Sequence, residues 1–253
     1  MATATLVEGP GTRTNGAIPS PDDARDHAAE LVYRVAAAAP PRFPATLDLR
    51  PWCRAVRDQG SSSTCAAQTA ACIKEYQELQ DTGVRSDFSV RFVYQRRENA
   101  PAKGMYGRDV MRILLKLGDA PKDQETRDDV VDCAAPYRIA EYARVHTVDG
   151  LKQALAADGP CYISFPVYNH GTRMWKPEPG DEQTGGHAMA VVGYTRRGFL
   201  IRNSWGEDWG DKGHCVYPYE DFGSHWEIWT TVDKTGSHAP PRPRRGCTGC
   251  TLL

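Results

Sequence analysis

No stretch of this 253-residue chain approaches the ~20 consecutive apolar residues that a membrane-spanning helix needs, and none therefore reads as one. An excess of charge of one sign is also missing. The 31 Lys and Arg residues against 32 Asp and Glu give a net charge of −1, which removes the electrostatic argument for nucleic acid or a strongly charged partner. Cysteine is sparse for a disulfide scaffold, at eight residues in the whole chain. Cys247 and Cys250 form a C-x-x-C, but no second ligand pair accompanies them, so no metal site is expected. The N-terminus, "MATATLVEGPGTRTNG", lacks a basic start followed by an apolar core and does not read as a secretory signal. The expectation is an intracellular protein in a reducing compartment. No internal repeat is visible.

What is present is an ordinary globular composition, 40% apolar and 25% charged. Residues 1–20, rich in Gly, Thr and Pro, read as disordered. Asp22 or Asp23 is a candidate cap for a helix that Pro40-Pro41 would stop. From Ser63 to Leu79 a helix is expected, with Ser62 or Ser63 as N-cap and Gly83 beyond its end. Cys65, Thr69, Cys72, Tyr76 and Leu79 share its inner face, and Lys74, Glu75 and Glu78 sit away from it. Further helices are expected over 108–118 and 148–159. After these, "PCYISFPVY", "HAMAVVGYT", "GFLIRNS" and "GHCVYPY" read as strands separated by turns. Helices first and strands second predict an α+β protein. The Pro- and Arg-rich tail, 233–253, is expected to be disordered.

The chemistry centres on "RDQGSSSTC", where a polar loop runs into Cys65 at a helix start. The unpaired N–H groups and dipole of a helix N-terminus favour a thiolate. A catalytic cysteine also needs a base, held by a third group. Among seven histidines, His187 stands out in "TGGHAMAVVGY", at the start of an apolar strand and directly after two glycines. These glycines let a backbone come close to the imidazole or to a substrate beside it. Asn203 ends the following strand, "LIRNSWGEDWG", and can fix the imidazole through its side-chain oxygen, with Trp205 placed to keep water off that bond.

Together, "RDQGSSSTC", "GGHAMAVVGY" and "RNSWGEDWGDKGH" resemble, in order, the papain-like cysteine peptidases. In papain-type enzymes the His and Asn stand roughly 130–150 residues beyond the nucleophile; Asn203 falls inside that window and His187 slightly short of it. "FSVRFVYQRREN" and "KGMYGRDVMRIL" are similar to a bacterial-type branch with short prosegments and without the usual disulfides. The resemblance implies a two-lobed fold, with a helical lobe over residues 45–140, a β-barrel-like lobe over 141–232 and the cleft between them. Residues 1–44 would be a prosegment that inhibits the enzyme until removed. The resemblance assigns Cys65 as nucleophile, His187 as base and later acid, Asn203 as its orienter, and Gln59 as side-chain donor of the oxyanion hole. Gly104, Gly186 and Trp205 are implied at the substrate. No metal or organic cofactor is called for, and the partner is a peptide or protein substrate.

The sequence departs from the family at Ser62, where most members have a disulfide-bonded cysteine, and at Ala66, where most have an aromatic residue. The first departure fits the reducing compartment. Besides an endopeptidase made as a zymogen, the same scaffold allows an exopeptidase, a deamidase, an acyl transferase or an inactive binding member. The terminal "CTLL" fits a prenylation signal preceded by a basic "RPRR", which would anchor the chain to a membrane if modified.

Overall fold

The computed structural model describes residues 14–29 and 43–234. The helix expected ahead of Pro40-Pro41 lies mostly outside these residues, and the tail from residue 235, with Cys247, Cys250 and "CTLL", lies wholly outside them.

Helix α1, Cys65–Thr82, sets the position of the site. Its first half, "CAAQTAAC", is dominated by alanine and contains no Gly or Pro, so nothing opposes helix formation. It ends at Gly83, whose left-handed backbone (φ 72°) returns its N–H to the Leu79 carbonyl. The start differs from expectation. Thr64, not a serine, precedes the helix and makes no side-chain cap; Ser62 Oγ donates to the Gln59 carbonyl and so shapes the loop instead. The polar face is not exposed either. Lys74 pairs with Asp233 at 3.2 Å and Glu75 pairs with Arg57, and both Lys74 and Glu75 are buried. The helix is central because ion pairs make burial of its charged side possible.

Around it lie α2 (Val90–Gln95), α3 (Gly107–Lys116), α4 (Val130–Ala134) and α5 (Val148–Ala157). Two short strands, β1 (Ala17–Ile18) and β3 (Met105–Tyr106), pair in parallel. The expectation of disorder over residues 1–20 therefore fails for residues 14–20. They gain order from the groove they lie in, which their own composition does not reveal.

The remaining strands form one antiparallel sheet in the order β4-β9-β5-β6-β7-β8, with β2 (Leu47–Asp48) added on β6. The four expected strands are β5 (Cys161–Val167), β6 (Gly185–Tyr194), β7 (Gly198–Arg202) and β8 (His214–Pro218). Two strands had not been foreseen, β4 (Ile139–Arg144) and β9 (Glu227–Asp233). One apolar cluster joins α1 residues Ala66, Ala70 and Ile73 to Phe92, Val110 and Leu114; the other joins Cys72 and Tyr76 to the sheet residues Ile163, Val191 and Phe199. Helix α1 thus forms the seam of a two-lobed α+β fold, and Cys65 stands at the end of that seam.

Candidate active site

Cys65 is the first residue of α1 and is fully buried. Its thiol lies against the backbone N–H groups of Ala188, Ala66, Gly16 and Cys65 itself. Ala188 is the residue after His187, so β6 brings the imidazole to the end of α1. Burial pushes the Cys65 thiol up to about 11, and those four N–H donors only partly oppose it.

His187 Nε2 and Asn203 Oδ1 are 2.6 Å apart. Asn203 Oδ1 also accepts the Ser204 backbone N–H at 2.7 Å, which fixes this atom as the carbonyl oxygen of the amide. Nε2 must then carry the proton, which leaves Nδ1 of the neutral ring as the basic nitrogen. The Trp205 ring centre lies 4.3 Å from that of His187, and Trp209 meets Trp205 edge-on at 5.7 Å. Trp205 is fully buried. Its ring lies against the imidazole that bonds Asn203, and with residues 14–29 seated it is covered as completely as Cys65 and His187 are.

Gln59 sits across the loop from Cys65. Its carbonyl oxygen accepts from Ser204 Oγ at 2.6 Å, so its NH₂ is free to donate, and it does so to the carbonyls of Ser62 (2.7 Å) and Thr14 (3.0 Å). Ser204 therefore ties the Gln59 amide to the Asn203–His187 pair through one residue. The sequence had marked it only as the letter between Asn203 and Trp205.

Residues 14–29 run through this site. The Gly16 N–H donates to the Gly186 carbonyl at 2.9 Å, and the Gly16 carbonyl accepts from Met105 N–H at 2.8 Å. A Cβ on Gly16 would overlap the Ser63 carbonyl, and a Cβ on Gly186 would overlap the Trp226 ring, so both glycines permit close packing. Gly104, in a left-handed conformation (φ 83°), also abuts the segment; an added Cβ would stand 3.1 Å from the Gly16 carbonyl oxygen. The strand pairing itself is made by Met105 and Tyr106, directly after Gly104. Further along, Asp26 pairs with Arg108, and the Arg144 N–H donates to the His27 carbonyl at 2.8 Å. No group of His, Cys, Asp and Glu able to hold a metal occurs among the described residues.

A thiol at a helix N-terminus, an imidazole held by an amide at the end of the neighbouring strand and an amide donor in the loop that leads into the helix are the parts of a nucleophilic cysteine site. Residues 43–223 match the papain family of cysteine proteases, and the chain belongs to that family. It is 28% identical to mouse cathepsin K over 198 residues, which is 69% of this chain and 60% of cathepsin K. It is 35% identical to falcipain-2b of Plasmodium falciparum over 111 residues, 36% of this chain and 22% of that protein. The chain thus spans less than two thirds of the length of either relative. Among solved structures, xylellain, a cysteine protease from Xylella fastidiosa, superposes with a TM-score of 0.74 at 26% identity, covering 90% of this chain and 99% of xylellain. The proform of the ragweed allergen Amb a 11 shares the fold at 21% identity, with a TM-score of 0.62 over 78% of this chain and 67% of that one.

Proposed function

We propose that this protein is an endopeptidase that cleaves peptide bonds through Cys65 and is held latent by its own residues 14–29. The observation that carries the catalytic half is the 2.6 Å His187–Asn203 bond, which leaves the basic nitrogen of a tryptophan-covered imidazole on the strand beside the thiol. Proton transfer from Cys65 to His187 Nδ1 gives a thiolate–imidazolium pair. The thiolate attacks the scissile carbonyl carbon, and Gln59 Nε2 and the Cys65 N–H donate to the oxyanion. One such donor lowers the barrier by about 3 kcal/mol in a serine protease. The imidazolium gives its proton to the leaving amine, leaving a thioester. Water then attacks, its proton passes to His187, and the acid is released as the thiol re-forms.

The latent half rests on occupancy. Gln59 donates to the Thr14 carbonyl, so the proposed oxyanion donor is already engaged. Gly16 lies on the thiol, and Ala17–Ile18 occupy β3, where an extended substrate would pair. Because the segment continues on both sides of the thiol, from Thr14 at Gln59 to Ser20 beyond β3, the groove accepts the interior of a chain and not only its end. This supports an endopeptidase.

The test is a full-length protein carrying a specific protease site between residues 30 and 42. Cutting it and separating the released peptide should switch on cleavage of internal bonds in an unstructured protein substrate, and Cys65→Ala should abolish it. Equal activity before and after cutting would overturn latency. Cleavage that survives Cys65→Ala would overturn the catalytic assignment.

A further inference from the structure

Cys53 and Cys72 come from separate segments and meet in the core. Cys53 follows the short 3-10 helix Arg50–Trp52, and Cys72 lies in the second turn of α1. Both are free thiols, and their side chains are hydrogen-bonded to each other. The peptidase mechanism uses neither. The stretch of chain between them contains both Gln59 and Cys65.

The two thiols are not equivalent. Cys72, with Arg202, Gln68 and Asn203, lines a cavity wide enough for one water-sized molecule; Cys53 does not reach it. Arg202 is 6% exposed, and none of the ion pairs among the described residues includes it. Its Nη2 donates to a neutral group, the Ala55 carbonyl, at 2.6 Å. Glu75 also faces the thiols, but it is paired with Arg57. A buried arginine calls for an anion, and the group beside it in the cavity is a thiol. The hydrogen bond from Cys53 is the main cause that favours the Cys72 thiolate, and the Arg202 charge adds to it against the effect of burial. The same contact, joined by burial, keeps Cys53 protonated. Elsewhere burial works unopposed or nearly so: it pushes the Cys65 thiol up to about 11 and those of Cys161 and Cys215 up to about 12.

We propose that Cys72 and Cys53 are a peroxide-reactive dithiol that closes to a disulfide while Cys65 stays reduced beneath residues 14–29. Hydrogen peroxide is close to water in size and suits the cavity. The Cys72 thiolate attacks one peroxide oxygen; the S–O bond forms, the O–O bond breaks, and the departing hydroxide takes a proton to become water. Sulfur is oxidised and the peroxide reduced. With Cys72 now a sulfenic acid, the charge that kept Cys53 protonated is gone. Cys53 gives up its proton and attacks the Cys72 sulfur; the S–S bond forms, and the hydroxyl leaves as a second water. Two thiols and one hydrogen peroxide thus give one disulfide and two waters. The site is separate from peptide cleavage and does not depend on it.

The experiment exposes reduced, uncut, full-length protein to increasing hydrogen peroxide at neutral pH. Remaining thiols are alkylated in denaturant, and the protein is digested without reductant. Mass spectrometry of the wild type should find the Cys53 and Cys72 peptides joined and Cys65 alkylated as a thiol. The pair should be oxidised at least about tenfold faster than Cys65, because the thiolate is the species that reacts. In Cys53→Ser no thiol resolves the oxidised sulfur, so dimedone, a trap for sulfenic acids, should add to Cys72. Recovery of Cys53 and Cys72 as free thiols at every dose up to the one that oxidises Cys65 would overturn the inference. So would a bond from either of them to a different cysteine. Absence of the dimedone adduct in Cys53→Ser, at doses that join the wild-type peptides, would overturn Cys72 as the thiol that meets peroxide.

Discussion

The side-chain amide of Gln59 donates to the carbonyl of Thr14 at 3.0 Å. A donor proposed to receive the oxyanion of a substrate is thus occupied by a carbonyl from the same chain, with its own oxygen pinned by Ser204. The donor is oriented in advance, so displacement of one segment is enough to expose it.

Replacing Asn203 with Ala removes the acceptor for His187 Nε2–H. A buried hydrogen bond of this kind contributes about 1–3 kcal/mol, so kcat of the cut enzyme should fall roughly 5- to 150-fold while KM changes little. Steady-state kinetics check this, and a change confined to KM would count against an orienting role.

Gly16→Ala places a Cβ where the Ser63 backbone carbonyl already lies. The clash is with backbone, not with a movable side-chain end, so the segment must shift away from the thiol. Alkylation of Cys65 in uncut protein should accelerate. An unchanged rate, with an unchanged melting temperature, would show that the segment tolerates the clash.

With the segment seated, burial holds the Cys65 thiol near 11. At pH 7 this leaves a thiolate fraction on the order of 10⁻⁴. Reaction of the uncut protein with iodoacetamide should therefore be slow at neutral pH and rise steadily toward pH 11. Protein that has been cut and separated from the released peptide should react at neutral pH. Mass spectrometry of the Cys65 peptide across the pH range distinguishes the two profiles.

Burial, the largest cause, lowers the pKa of His225 to about 4, and that of His214 falls below its ordinary value for the same reason. Both are neutral in the folded protein at pH values where an unfolded chain, with histidines titrating near 6.5, binds protons. Their contribution to stability is complete above about pH 6.5 and is lost as the pH falls through 6.5 toward 4. Melting temperature should decline over that interval, and His225→Gln should flatten part of the decline. A melting temperature that rises on acidification would contradict the sign.

Cys65, His187 and Asn203 were legible as candidates because each sits in a short pattern whose chemistry is local: a polar loop entering a helix, two glycines before a strand histidine, an asparagine at a strand end; Gln59 came only through the family resemblance. Residues recruited across the fold were not. Lys74 and Glu75 looked solvent-facing because helical periodicity says nothing of Asp233 and Arg57, their distant partners. Ser204 and Ser20 carry no signal except their place in space. Strands β4 and β9 pair with each other, but each is too mixed in composition to stand out alone.

The parallel pairing of Ala17–Ile18 with Met105–Tyr106 makes the N-terminal segment a tethered ligand, present at a high effective concentration however dilute the protein. A break in the chain between residues 30 and 42 does not by itself empty the groove. It turns an intramolecular contact into a bimolecular one, whose occupancy follows the concentration of the released peptide. Dilution then acts as a second trigger after the cut.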